Sequence, residues 1–251
     1  MWRIWHNLIL RFDHDQVNVF LNYGYEGENH EFKDLLLDQE QEFHRFPIQL
    51  YSHTVRHHFF PGTDVLEVGC GRGGGAAFLA QTLKPISYTA LDINENTTRF
   101  CQRRHKVPGL NFVTGDAENL PFRDHQFDAV VNVESARCYP RMDRFFAEVH
   151  RVLKPQGKFL FAGMIRPASL EKVENMLSSA GLKVMERRDI RQNVVSALLS
   201  DQQGRQSSID KKVPQWLRKA FYEFAGVPGT RRFEIFKTGE MGYYSFTLIK
   251  S

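Results

Sequence analysis

The stretch Asp64-Val-Leu-Glu-Val-Gly-Cys-Gly-Arg-Gly-Gly-Gly-Ala-Ala-Phe-Leu-Ala80 passes from a short apolar strand through a glycine cluster straight into a helical pattern. That order requires a fold in which a strand tip abuts a helix N-terminus. Gly69, Gly71 and Gly73 remove side chains where backbone must approach a ligand closely or take positive φ, and the helix that follows aims its first amides at the same spot. Alternating glycines are weak evidence alone, because any strand-to-helix turn in an α/β protein tolerates them. Two later carboxylates sharpen the signal. Asp92 closes the run Ser87-Tyr-Thr-Ala-Leu-Asp92, about twenty residues on, where an acid accepts hydrogen bonds from ribose hydroxyls. Asp116 closes a third run, Leu110-Asn-Phe-Val-Thr-Gly-Asp116.

A dinucleotide site competes for this pattern, but its glycines are spaced GxGxxG so that a pyrophosphate lies over the helix N-terminus. Here the spacing is GxGxG with Glu67 in front. A carboxylate there repels a pyrophosphate and favours a cationic ligand.

Strand and helix patterns alternate from Asp64 onward, the signature of a parallel sheet covered on both faces. Strands are expected near 64–68, 87–91, 110–114, 127–133 and 157–163, and helices near 74–83, 95–105 and 141–153. A helix from Ala168 to Ala180, ended by Gly181, and a strand from Leu182 to Glu186 follow. Tyr243 to Ile249 reads as a final strand by its aromatic and β-branched content. Residues 191–241 are more than a compact fold needs to join two strands. They read as a helix over 191–200, a polar stretch Asp201–Ser208 and a helix from Pro214 to Ala225. A lid over a substrate cleft is the functional reading, with Trp216, Phe221, Tyr222, Phe224 and Phe233 as apolar lining.

The chain resembles the class I S-adenosylmethionine-dependent methyltransferases. The resemblance rests on Glu67-x-Gly69-x-Gly71-x-Gly73, Asp92, Gly115-Asp116-Ala-Glu-Asn-Leu-Pro-Phe122, Phe127-Asp128-Ala-Val-Val and Glu148-Val-His-Arg-Val-Leu-Lys-Pro-Gln-Gly157, in order over residues 60–165. Gln156 stands where a second glycine is usual before Gly157. The resemblance implies a doubly wound, seven-stranded, mostly parallel Rossmann-like α/β sheet whose last strand inserts antiparallel. It divides the chain into an N-terminal helical cover (1–60) and a core (61–251) carrying the lid (191–241). S-adenosyl-L-methionine is the implied cofactor and S-adenosyl-L-homocysteine the product. Implied contacts are Glu67, Gly69, Gly71, Asp92 on the ribose, Asp116 on the adenine amino group, Ile93 and Ala117 sandwiching the ring, and Asn132. Tyr23, in Asn22-Tyr-Gly-Tyr25, resembles an element that closes over the methionine end; as sequence alone it is aromatic rings around a turn glycine.

The loop Asn132-Val-Glu-Ser-Ala-Arg-Cys-Tyr-Pro140 resembles that of the phthiotriolone and related natural-product O-methyltransferases, which carry a histidine where Arg137 stands here. Arginine accepts no proton at neutral pH. Glu134, Tyr139 and His44 remain as candidates for orienting or deprotonating an acceptor, and Arg137, Cys138, Trp216, Phe221 and Tyr222 as substrate contacts. Arg137 suits an anionic acceptor such as an enolate, phenolate or carboxylate. The implied activity is methyl transfer to a small molecule, on oxygen of a polyketide, phenolic or lipid-like metabolite. Alternatives on the same scaffold are a macromolecule methyltransferase or a cofactor-binding protein that transfers no methyl.

A net charge of +4 with basic and acidic residues interspersed gives no nucleic-acid stripe. Cys70, Cys101 and Cys138 form no CxxC pair, so a reduced, cytoplasmic protein is expected. The spacing of His53 and His57 suits a metal, but lacking a third ligand no metal is expected. No transmembrane segment is evident. Trp2, Trp5, Ile9 and Phe12 fall on one helical face, expected to lie on its own domain or on a second copy of the chain in a homodimer.

Overall fold

The computed structural model describes residues 18–28, 31–58 and 60–251; the helix expected around Trp2 to Phe12 lies outside them. An extended segment from Asn18 leads into α1 (Gln39–Glu42) and α2 (Arg45–Val55). The strands are β1 (Asp64–Val68), β2 (Ser87–Asp92), β3 (Leu110–Thr114), β4 (Phe127–Val133), β5 (Leu153–Ile165), β6 (Leu182–Asp189) and β7 (Gly242–Lys250). They form one sheet in the order β3-β2-β1-β4-β5-β7-β6. All pairings are parallel except those of β7, which runs antiparallel between β5 and β6, as the resemblance implies.

The inner strands are near-continuous apolar runs because helices cover both faces. Val65, Leu66 and Val68 of β1 are fully buried, and so is the one charged residue between them, Glu67. On one face α2, α3 (Gly74–Leu83) and α4 (Glu95–Arg104) enclose Leu50, Phe78, Phe100, Tyr88 and Val131. On the other, α5 (Met142–Val152) and α6 (Leu170–Ser179) bury Phe145, Phe146, Phe159 and Leu177. Strand order reverses at β1, which has β2 on one side and β4 on the other. In an open α/β sheet that is where ligands bind, beyond the strand C-termini.

Several boundaries differ from the expected ones, β6 for example running on to Asp189 rather than ending at Glu186. β5 begins at Leu153, and the register with β4 shifts so that Phe127 pairs with Leu153 and Ala129 with Lys158. The Lys154-Pro-Gln-Gly157 turn is therefore a bulge within the ladder, with Gln156 at φ 63°, the conformation a glycine adopts most easily. The polar stretch after Asp201 is helical. The insertion comprises α7 (Arg191–Ser200), α8 (Gln202–Lys212), α9 (Gln215–Ala225) and α10 (Arg231–Lys237). Val194, Leu198, Phe233 and Phe236 belong to the main core. Ile209, Val213, Phe221 and Val227 form a small separate one. α8 and α9 thus carry the small core, while α7 and α10 are built into the sheet's cover.

Candidate functional site

The glycine turn after β1 is held from below. Gly69 N–H and Cys70 N–H both donate to Leu91 O, at 2.7 and 3.0 Å. Gly71 N–H donates to Asp92 Oδ2 at 3.0 Å, while Asp92 Oδ1 accepts Asn94 N–H at 2.9 Å. Asp92 thus braces the loop through both carboxylate oxygens. The conformation demands glycine: Gly69 has φ 78°, and a Cβ there would lie 2.3 Å from Ser135 Oγ. A Cβ on Gly75, at the start of α3, would sit 2.0 Å from the Tyr51 ring.

Beyond this turn lies a cleft of about 470 Å³, within the usual range for ligand sites. Gly69, Gly71, Asp92, Ile93, Asp116 and Ala117 line it, as do Glu134, Arg137, Cys138 and Tyr139. Asp116 Oδ1 accepts Glu118 N–H at 2.9 Å, which turns the loop after β3. Ile93 is half exposed at the rim, an apolar surface that a planar ring could cover.

Glu67 and Asn132 do not reach this cleft; each is fully buried. Glu67 accepts from Tyr51 Oη at 2.8 Å and Tyr88 Oη at 2.9 Å. Burial pushes its carboxyl up to about 7, against the two hydroxyl donors. In place of the implied ligand contact, Glu67 is a carboxylate clasped by two tyrosines. Asn132 Nδ2 donates to Val68 O at 2.9 Å and Ser135 Oγ at 2.7 Å, and its Oδ1 accepts Ala136 N–H at 3.2 Å. It fixes the loop after β4 rather than facing a ligand.

In that loop Glu134 takes φ 59°, a rare conformation for a non-glycine residue. Its Oε1 accepts both Tyr23 N–H and Tyr243 Oη–H at 2.7 Å. Burial raises the Glu134 pKa, opposed by these donors and by the Arg137 and Arg205 guanidiniums. Tyr139 Oη donates to Ser135 Oγ at 3.0 Å, and burial holds its pKa well above the ordinary tyrosine value. Burial pushes the Cys138 thiol up to about 12, so it stays protonated.

His44, Tyr23 and Phe221 line a second chamber of about 160 Å³, between Asn18–Tyr23, α2, α8 and α9. Phe43, Pro47, Ile209, Val213 and Phe224 make most of its wall apolar. Phe20, Leu21 and Asn22 line both cavities, so one extended segment divides them. Tyr23 anchors that divider. Its Oη donates to Phe224 O at 3.1 Å and its carbonyl accepts Arg205 Nη2 at 2.9 Å, while Arg205 pairs with Asp201 at 2.9 Å. Trp216 and Tyr222 line neither cavity: Trp216 is 80% exposed and Tyr222 Oη donates to Asp210. Facing Val213, Leu217 and Phe221 into the small core turns Trp216 outward, while Tyr222 packs half-buried against that same core. Phe233 lies in the main core instead.

The sequence reading missed Tyr51, Ser135, Arg205 and Phe20–Asn22. Ser135 and Asn22 lie inside quoted runs that gave them no role, and the others stand in no motif; only the fourth and fifth glycines of the turn pointed to a close neighbour such as Tyr51. His53 is buried, with Nδ1 3.2 Å from Glu31 Oε1 and Nε2 3.1 Å from Ser245 Oγ. Among the described residues no three His, Cys, Asp or Glu side chains converge on a metal position, and no helix is long and apolar enough to cross a membrane.

Residues 66–161 match the family described as methyltransferase domain. Over 98% of its length the chain is 41% identical to the phthiotriol/phenolphthiotriol dimycocerosates methyltransferase of Mycobacterium tuberculosis, covering 92% of that protein. It is 40% identical to the fatty-acid O-methyltransferase of Mycolicibacterium smegmatis, over 94% of this chain and 85% of that one. Among solved structures, geranyl diphosphate C-methyltransferase from Streptomyces coelicolor, in complex with Mg2+, geranyl diphosphate and S-adenosyl-L-homocysteine, superposes with a TM-score of 0.71. It is 15% identical and covers 98% of each chain.

Proposed function

Because the chain belongs to the S-adenosylmethionine-dependent methyltransferases, we propose that its two cavities hold donor and acceptor on either side of the Phe20–Asn22 divider, and that the acceptor is a lipid-like molecule methylated on oxygen. The supporting observation is that one segment lines both cavities. The names of the relatives, for dimycocerosates and for a fatty acid, fit the apolar second chamber.

The cleft fits the cofactor. Its glycine turn leaves a backbone cradle that a Cβ would fill, and acids stand at the tips of β2 and β3. When bound, S-adenosyl-L-methionine supplies a methyl group on a positively charged sulfur. In this reading Asp92 accepts from the ribose hydroxyls, Asp116 accepts from the adenine amino group, and Ile93 and Ala117 flank the ring. Gly69 and Gly71 offer backbone only. The chain's main contribution to rate is alignment in a dry site, which supplies about 7–11 kcal/mol in favourable cases. Asn22 and the Glu134 loop hold that alignment at the boundary between the cavities, and Phe221, Phe224 and His44 shape the acceptor's apolar path. A nucleic-acid acceptor does not suit so apolar a chamber.

The test is stoichiometric. Isothermal calorimetry should show one S-adenosyl-L-homocysteine site per chain, and incubation with lipid-like acceptors should release that product one-for-one with methylated acceptor. Cofactor binding with no release from any acceptor leaves the non-methylating alternative standing.

A further inference from the structure

The strip that divides cleft from chamber also borders a third space. A cavity of about 200 Å³ lies between α1 and the start of α2 on one side and α3 and the end of α4 on the other. Its inner end is apolar, made by the buried Val19, Ile48 and Phe78. Its outer end is polar, where Asp38 and Glu40 stand with Arg104 and Lys106, and Glu40 pairs with Arg104.

Among the described residues, Phe20 and His44 alone line both this cavity and the acceptor chamber. Their rings pack with centroids 5.1 Å apart, tilted by 45°, so one pair of rings stands between the two spaces. Each ring is anchored through its backbone and its neighbours. Beside Phe20, Val19 O accepts Gly74 N–H at 3.1 Å, and the Phe20 ring meets Tyr51 edge-on at 6.0 Å. A Cβ on Gly74 would lie 2.8 Å from that ring. His44 N–H donates to Gln41 O at 2.8 Å and its carbonyl accepts Ile48 N–H at 2.9 Å, which joins α1 to α2.

The chamber is small for an acceptor. At about 160 Å³ it falls below the roughly 300–1,000 Å³ of ordinary ligand sites. A methylene is close to a water in size, and at about 30 Å³ each the chamber takes about five and the third cavity about six. Phe43, half exposed, stands at the chamber's outer side, where a longer chain turns to solvent.

We infer that Phe20 and His44 form a specificity-determining wall, which sets how many methylenes of the acceptor's alkyl tail are buried, with unused apolar space behind it. This rests on the two-cavity reading and deepens it. The wall acts on the tail and is indifferent to the chemistry of the acceptor's head. Opening it joins chamber to third cavity and lengthens the buried run.

The experiment titrates two ligand series, 1-alkanols from propanol to dodecanol and the matching unbranched acids, into protein saturated with S-adenosyl-L-homocysteine. Calorimetry reads affinity without turnover for wild type, His44→Ala and His44→Phe. His44 is the choice because it lines the chamber and the third cavity but not the cleft. In wild type, affinity should rise about fourfold per added methylene and level off once about five are buried. In His44→Ala the rise should continue for about three methylenes or more, and His44→Phe, which keeps a ring, should restore the wild-type break. A merely structural His44 would weaken every ligand alike and leave the break where it was. Should His44→Ala not fold, Phe20→Leu opens the same wall and is read by the same break. The inference is overturned by a break at one length in wild type and the opened variant, or by wild-type affinity that climbs unbroken to dodecanol. If S-adenosyl-L-homocysteine binds and neither series does, the two-cavity reading falls and the wall with it; if that product does not bind, the cofactor reading falls first.

Discussion

At the residue scale, two buried ionisable groups pull the stability of this protein in opposite directions. Burial raises Glu67, faced by Tyr51, Tyr88 and Asp92, from its ordinary 4.5 to about 7. The folded state therefore holds a proton the unfolded chain has lost, and the stability this gives is complete below 4.5 and fades as pH rises through 7. Burial lowers His53, faced by Arg56, Glu31, Arg188 and the stacked Tyr25 ring, from 6.5 to about 4. Its contribution is complete above 6.5 and fades as pH falls through 4. Each amounts to about 3 kcal/mol, and between pH 4.5 and 6.5 they offset. Glu67→Gln should leave the histidine slope uncovered, so that stability relative to wild type drops on acidification across that window. Urea unfolding at a series of pH values reads this; parallel curves for variant and wild type would refute it. Asp92→Ala should weaken S-adenosyl-L-homocysteine binding strongly. Because Gly71 N–H and Asn94 N–H lose their acceptor, it should also cost about 1–3 kcal/mol of unfolding free energy, which denaturation without ligand measures. Gly69, Gly71, Asp92 and Asp116 were legible because a turn's backbone demands are local. Glu67, Asn132, Tyr51 and Ser135 were not, since their partners come from other strands and helices.

At the level of elements, the parallel strands and their helices were readable from periodicity because each buries a continuous apolar stripe. α8 was not. Its residues Gln202–Lys212 are mostly polar, and it is held by the Asp201–Arg205 pair, by Arg205 reaching Tyr23 O and Ala225 O, and by Ile209 in the small core. Its helicity is a product of tertiary contacts that no local pattern encodes. Arg205→Ala should loosen α8 and α9 together. Amide exchange in 202–225 should quicken and acceptor KM rise, with cofactor affinity within about threefold of wild type. Equal loss of both affinities would show that α8, α9 and the cleft beyond β1 are one unit. Deleting the whole insertion is a harsher change, because Phe233 and Phe236 leave the main core with it.

Across the whole molecule, the doubly wound seven-stranded sheet and its antiparallel last strand were expected from the family resemblance, while the partition into two cavities was not, because it depends on a segment with no regular structure. A ligand that binds only the folded chain stabilises all of it. S-adenosyl-L-homocysteine at about a hundred times its Kd should raise unfolding free energy by about 2.7 kcal/mol, read as a shift in thermal midpoint; an unmoved midpoint would mean that the cleft does not take it. The dividing strip has a further consequence for how the enzyme comes into being. Tyr23 is tied to partners 111, 182 and 201 residues downstream, so a growing polypeptide emits this strip long before anything exists for it to rest against. A ribosome-bound fragment stopped short of α8 and α9 has the tips of β1 to β4 yet lacks a finished partition. Competence to methylate is thus deferred until synthesis has nearly ended.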